Sequence, residues 1–305
     1  DEQKAIPFAF NDMEAVKKHM LNREEKKRRA VFKICMYALM VFVAAILIFP
    51  YFYMVMKSLM TWEEVISLEF RIFPAKPQFA NYGRILQDSG YIAAFGNTMK
   101  VILFNLVAVP VSATFIAFGF ARCEFAGKKA LFAFMLSTMM LPGVVTQIPL
   151  YILYSKIGWL NTLYPLTIPN LTGGGALYIF LARSFIQSLP RDIDNAAKID
   201  GAGSLRRYFS IALPLCKPII VYIMINVFTA AWGDYYGPLV WRIDDDFPAT
   251  LAYKVFYLLN NGASGNDQVH IRMAAGVVMS VVPATLFFIF QKQLIEGVAM
   301  DGLKG

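Results

Sequence analysis

Residues 194–203 read DNAAKIDGAG, a compact run of small and polar residues between two apolar blocks. Ser204-Leu205-Arg206-Arg207 follows, and then Leu213-Pro214. Pro190 ends the incoming apolar stretch. Asp192 and Asp194 suit the first turn of a short helix, where carboxylates complement the helix dipole. Ile193, Ala196, Ala197 and Asp200 fall at i, i+3, i+4 and i+7 and so share one helical face. Two alanines keep that face flat and small, so that another backbone can approach closely. Gly201 suits the left-handed position that often ends a helix. Ser204 can cap a second short helix carrying Arg206, Arg207, Tyr208 and Phe209. The spacing predicts a bent helical elbow over residues 190–214. Two readings stay open on this ground: a docking handle for another protein, or an ordinary connector.

The rest of the chain is greasy. Of the 305 residues 57% are hydrophobic, 15% aromatic and only 16% charged, against about 25% charged in soluble domains. Charge-free runs occupy 34–56, 101–121, 130–155, 157–182, 218–233 and 273–291, and apolar character resumes after Asp234 through Trp241. A bilayer crossing needs roughly 20 apolar residues. The pattern predicts an all-α polytopic membrane protein with six transmembrane helices. The competing reading, a large soluble α-protein with buried helices, rarely gives so many long charge-free runs.

Lys and Arg set the orientation. With residues 1–33 on one side and the rest alternating, that side holds 20 of the 29 basic and 12 of the 21 acidic residues, net +8 against 0 opposite. It is therefore read as cytoplasmic, with both termini inside. The positive balance is a topology signal, and no basic-aromatic motif points to nucleic acid. The division is a cytoplasmic arm over 1–30, a six-helix membrane domain over 31–296 containing the elbow, and a cytoplasmic tail over 297–305. The arm is expected to be helical from Asn11 to Arg29, solvated, with Lys26–Arg29 at the anionic lipid surface. No cleavable signal is read, because the first apolar run is too long for a signal core. Cys35, Cys123 and Cys216 are scattered and form no disulfide or metal pattern. His19 and His270 lie far apart in sequence, so no metal site is expected.

The apolar runs are heavily interrupted. Pro110 lies in the second, Pro142, Gly143 and Pro149 in the third, and Pro165, Pro169 and Gly173–Gly175 in the fourth. Pro218 and Pro238 flank the fifth and Pro283 lies in the sixth. Proline frees a backbone carbonyl, which in hydrocarbon must find a partner or line a wet cavity. These breaks favour a moving pathway, although Pro and Gly are also simply commoner in membrane helices.

The stretch SLPRDIDNAAKIDGAGSLRRYFSIALPLCKP, residues 188–218, resembles the EAA loop of ABC-transporter permeases. The likeness rests on Ala196, Ala197, Asp200, Gly201, Ala202, Phe209, Ile211, Leu213, Pro214 and Pro218, with Asn195 standing where the family usually has Glu. Phe228–Leu239, FTAAWGDYYGPL, and the end Gln291–Gly305, QKQLIEGVAMDGLKG, are similar to stretches of the carbohydrate-uptake permeases of the maltose type. Asp301 and Leu303 are variants within that tail. The resemblance implies an ABC importer type I permease fold in a bacterial cytoplasmic (inner) membrane. It implies a homologous partner permease, two ATP-binding cassette ATPase subunits, and an extracellular or periplasmic solute-binding protein that delivers an oligosaccharide. ATPase coupling would fall to Asp194, Asn195, Ala196, Ala197, Asp200, Gly201, Ala202, Arg206 and Arg207. ATP and Mg would be bound by the partners: the chain has no GxxxxGK[ST] loop, so no catalytic residue and no cofactor of its own is expected.

Sugar sites combine aromatic faces with a few oriented polar groups. Candidates for the substrate path are Asn105, Thr146, Gln147, Asn170, Asn226, Thr229, Trp232, Asp234 and Tyr235. Asp234 is the sharpest, since a carboxylate near a span is costly unless wet or paired; functional and structural roles both remain open for it. Trp232 and Tyr235 are equally readable as interface anchors. The resemblance also implies that most sugar contacts come from the partner permease. A charged sugar is the alternative substrate. An ion-coupled secondary transporter is the alternative mechanism, but it would leave the elbow without a purpose. A membrane enzyme or scaffold is a further reading, unsupported by any His, Cys or carboxylate cluster.

Overall fold

The computed structural model describes residues 7–244, 246–260 and 269–302, with side chains described for 28–244, 246–257 and 269–291. Outside these lie Asp245, residues 261–268, the tail from 303 onward and the side chains of Lys26 and Lys27. The described residues form helices joined by turns and loops, with no strand among them.

Helix α1 (Pro7–Ser58) runs unbroken from the expected arm through the first apolar run. The short helices α2 (Trp62–Ile66) and α3 (Ala80–Gln87) follow. A capping box starts α2: Glu64 N–H donates to Thr61 Oγ1 at 3.3 Å, and Thr61 N–H donates to Glu64 Oε2 at 3.0 Å. Ala75 N–H donates to the other Glu64 oxygen. The backbone donors of Thr61 and Ala75 hold the Glu64 carboxyl below its usual range.

Helix α4 (Ser89–Arg122) is the central strut. Its buried alanines 113, 117 and 121 repeat every four residues, so they line one side of the helix. That side packs on α7 (Ala176–Ser188), through Ile179, Ala182 and Ile186, and on α11 (Lys217–Gly233), through Ile219, Ile223 and Val227. In lipid there is little hydrophobic drive between helices, so this close small-residue packing supplies the cohesion. A second core joins α3, α4, α11, α13 (Leu251–Asn260) and α14 (Val269–Gly302) around Ile102, Trp232, Leu251 and Ala275. Helix α1 lies along α14, where Tyr51 Oη and Ser280 Oγ are 2.8 Å apart.

Three helical stretches are long and apolar enough to cross a membrane: 28–58, 89–122 and 269–291. Two bent pairs raise the number to five if each is one span. Helix α5 (Lys128–Ser137), extended by a 3-10 turn to Met140, meets α6 (Gly143–Lys156) at 101°, with Pro142 at the corner. The 204–215 segment meets α11 at 75°. The expected fourth helix over 157–182 is instead two 3-10 turns, Tyr164–Leu166 and Ile168–Thr172, then three glycines and α7. Pro165 and Pro169 break the ladder there. The 13 residues of α7 reach only about 20 Å, short of the roughly 30 Å of hydrocarbon.

Gly173, Gly174 and Gly175 all have positive φ, +98°, +64° and +119°. A Cβ on Gly174 would stand 2.5 Å from Val109 Cγ1 of α4. We expect Gly174→Ala to cost about 1–3 kcal/mol through overpacking and backbone strain, read as lost thermal stability of the purified protein. Gly119→Ala, inside α4 with nothing within 4 Å of the added carbon, is the neutral control.

Candidate functional site

Two features carry the site: the elbow at one end of the core and a cavity beside α4. The elbow begins at Leu189, which caps α7, and Pro190, whose ψ of 130° turns the chain into α8 (Arg191–Ile199). Asp192 and Asp194 occupy the first turn of α8 and Lys198 the last, the charge order a helix dipole favours. Gly201, at φ +75°, ends the helix. Its N–H donates to Lys198 O, and Ala202 N–H donates to Ala197 O at 2.9 Å, the paired bonds of a Schellman ending. Next come α9 (Ser204–Arg207), a π turn over Tyr208–Ala212 and α10 (Leu213–Leu215).

The expected cap of α9 needs correction. Gly203 takes the N-cap position, and the Ser204 hydroxyl instead accepts from Arg207 Nη2 at 3.0 Å. The expected flat face also divides. Ala197 is buried at 8%, whereas Ile193 is 44% exposed and Ala196 and Asp200 are exposed. The inward side of α8 is Asp194 and Ala197, and the outward side carries Asn195, Ala196 and Ile199.

Arg207 Nη1 donates to both carboxylate oxygens of Asp194 at 2.9 Å, and both residues are buried. Arg207 also lies over the Phe118 ring at 6.0 Å. Asp194 and Arg207 therefore clamp α8 to α9 from within, while Asn195, Ala196, Asp200, Gly201 and Arg206 face out and Ala202 is half-buried. Tyr208, fully buried, anchors the clamp to α4: its hydroxyl donates to Val111 O at 3.0 Å and sits 2.9 Å from Thr114 Oγ1. Arg122, at the end of α4, donates to Ile186 O and Leu189 O at 2.8 Å, so that with the Leu189 N–H, which also reaches Ile186 O, it satisfies carbonyls at the end of α7. Sequence reasoning missed Tyr208, Thr114 and Arg122 as anchors, because their partners lie 60 or more residues away. The outward surface is partly apolar: Ile193, Ile199 at 87% exposure, Leu205 and Phe209.

The cavity, about 490 Å³, is lined by Asn105, Asn170, Asp234, Tyr178, Trp241 and Thr250 among apolar neighbours. Three of the expected path residues, Asn105, Asn170 and Asp234, meet there. Asn105 Nδ2 and Asn170 Nδ2 both donate to Leu166 O, and Asn170 Nδ2 also reaches Asn105 Oδ1 at 3.1 Å. These amides hold the broken 164–172 segment against α4 by satisfying backbone that the prolines freed. Asp234 caps α11 and accepts from Gly237 N–H at 2.8 Å, at the turn into α12 (Tyr236–Trp241).

The other expected path residues lie elsewhere. Thr146, Asn226 and Thr229 bond to carbonyls of their own helices. Gln147 accepts from Tyr236 Oη at 2.9 Å, joining α6 to α12. Trp232 is buried, stacked on Phe228, and its Nε1 has no partner among the described residues. Tyr235 stacks on Phe256 at 4.5 Å.

The described residues thus form a helical body with a cavity beside α4 and, at one end of the core, a clamped elbow that presents apolar side chains. The chain belongs to the binding-protein-dependent transport system inner membrane components, whose family model matches residues 113–299. It is 30% identical over 287 residues to the galactooligosaccharides transport system permease protein GanQ of Bacillus subtilis, covering 92% of this chain and 98% of that protein. It is 29% identical over 280 residues to the maltodextrin transport system permease protein MdxG of the same organism, covering 91% and 98%. In fold it matches a chain of a bacterial ABC transporter involved in the import of the acidic polysaccharide alginate. The TM-score is 0.74 at 20% identity, over 86% of this chain and 96% of that one.

Proposed function

We propose that this chain is the membrane permease subunit of an ATP-driven, binding-protein-dependent importer of oligosaccharides. Relatives named for galactooligosaccharides, maltodextrin and melibiose/raffinose/stachyose support the substrate class. The observation that carries the mechanism is the elbow, which is clamped inside by Asp194 and Arg207 and displays Ile193, Ile199, Leu205 and Phe209 outside. Exposed apolar side chains on a polar projection mark a protein interface.

In this reading the elbow, with Asn195, Gly201 and Arg206 on its open side, seats in one of two cytoplasmic ATPase subunits. Those subunits bind ATP and Mg, and their closure turns α4, α7 and α11 through the Tyr208 anchor. A homologous permease forms the other half of the path, and a solute-binding protein delivers sugar from outside. The elbow and both termini face the cytoplasm of a bacterial inner membrane. The test is purification of the complex in mild detergent followed by reconstitution. The reading expects a stoichiometric ATPase partner and ATP hydrolysis stimulated by loaded binding protein. Uptake by preparations free of any ATPase would overturn it in favour of an ion-coupled carrier.

A further inference from the structure

The segment between α1 and α3 is pinned in place yet greasy. Gln78 N–H donates to Leu59 O at 2.8 Å, and Nδ2 of the buried Asn81 donates to Ser58 O at 2.9 Å and Met60 O at 3.0 Å. Ala75 N–H ties the loop to Glu64. This fixed loop still leaves Ile66, Leu68, Phe70, Phe73 and Phe79 each more than half exposed. Two of the rings fold back along α1. Phe70 stacks on Tyr53 at 6.4 Å, and Phe73 stands edge-on to Phe52 at 6.0 Å. Tyr53 in turn stacks on Phe49. Successive residues turn about 100° around a helix. Tyr51, bonded to Ser280, and Met54, beside Gly276, mark the α14 side of α1, so Phe49 and Tyr53 lie on the far side. The apolar window of α1 has no buried residue, and Phe70 continues its uncovered face onto the loop.

We propose that residues 66–79 are an interfacial anchor, which lays its aromatic and aliphatic side chains into the headgroup and upper acyl layer of the bilayer. Tyr53 stands five residues before α1 ends at Ser58, about 7.5 Å along the axis. Interfacial side chains reach a depth of roughly 5–10 Å, so Phe70 meets α1 at that depth. Residues 67–79 form no regular element. Their backbone therefore belongs in the wet headgroup layer, with only side chains going deeper. The charges suit that layer. Arg71 Nε donates to Glu69 at 3.0 Å, and the Glu64 carboxylate is held by two backbone N–H groups. Over 66–79 one acid stands against two bases, and Lys76 is exposed to meet anionic phosphates. The row of rings passes from the span to the loop without a polar break, which favours lipid over a soluble protein as the occupant. The anchor asks of the reading above only that the chain lies in a bilayer.

The test places the photoreactive residue p-benzoylphenylalanine at position 70 or 73, where an exposed ring is exchanged for a larger one. The full chain, with every subunit that co-purifies, is reconstituted in phosphatidylethanolamine–phosphatidylglycerol vesicles with the solute-binding protein present. After irradiation the chain is isolated and its adducts are read by mass spectrometry. Phospholipid adducts are expected at both positions, at least about fivefold above those from the same probe at Asp192 on the exposed start of α8. Adducts confined to the solute-binding protein or to a partner permease overturn the anchor and make the loop a protein contact. A lipid yield at 70 and 73 no higher than at 192 overturns it as well. If lipid adducts form while no ATPase co-purifies, the importer reading fails and the anchor stands.

Discussion

Arg207→Ala is expected to release the elbow from the membrane core and to cut sugar-stimulated ATP hydrolysis at least about tenfold. The side chains of Arg207 and Asp194 are 8% and 12% exposed, and Nη1 reaches both carboxylate oxygens. Removing one member of such a buried pair strands the other, at a cost of about 3–5 kcal/mol. The nine residues of α8 cannot compensate, because an isolated helix that short does not hold itself in water. Lys198, 3.6 Å from Asp194 and half-exposed, is the remaining cation, and solvent screens such a pair to little value. The double variant Asp194→Leu with Arg207→Leu removes both charges, so it should recover much of the stability. The measurement is ATPase co-purification and stimulated hydrolysis for the single and double variants. Wild-type coupling in Arg207→Ala would remove the clamp from the account.

The elbow was legible because its signals are local. Pro190, the acidic first turn and Gly201 each act within one or two turns of chain, and the structure places a helix start, a dipole partner and a left-handed ending at those positions. Which side of α8 points inward was not legible. The i, i+3, i+4 pattern groups Ile193 with Ala197, but the buried partner of α8 is Arg207, thirteen residues on. The charge-free runs marked 34–56, 101–121 and 273–291 correctly as long apolar helices. They failed at 157–182, since absence of charge reports affinity for lipid and says nothing of helical continuity. Two prolines and three left-handed glycines decided that segment. In the cavity, residue type pointed to Asn105, Asn170 and Asp234. The same logic also picked Thr146, Asn226 and Thr229, whose hydroxyl or amide groups are spent on nearby carbonyls of the same helix.

Gly201 offers the sharpest separation of handle from connector. It is exposed at the tip of the elbow, its φ is +75°, and an added Cβ meets nothing within 4 Å. Any L-residue there pays about 1–2 kcal/mol for the left-handed backbone, so alanine and tryptophan carry the same strain. Only tryptophan projects a large ring into the space where an ATPase would sit. Gly201→Ala is therefore expected to keep most coupling, and Gly201→Trp to lose ATPase association and sugar uptake while the membrane helices remain folded.

The most direct measurement compares these two variants with the wild type in proteoliposomes, recording bound ATPase, stimulated hydrolysis and oligosaccharide uptake together. The account predicts that all three readings collapse in Gly201→Trp and persist in Gly201→Ala. Undiminished uptake and hydrolysis in Gly201→Trp would contradict it and reduce residues 190–214 to a connector.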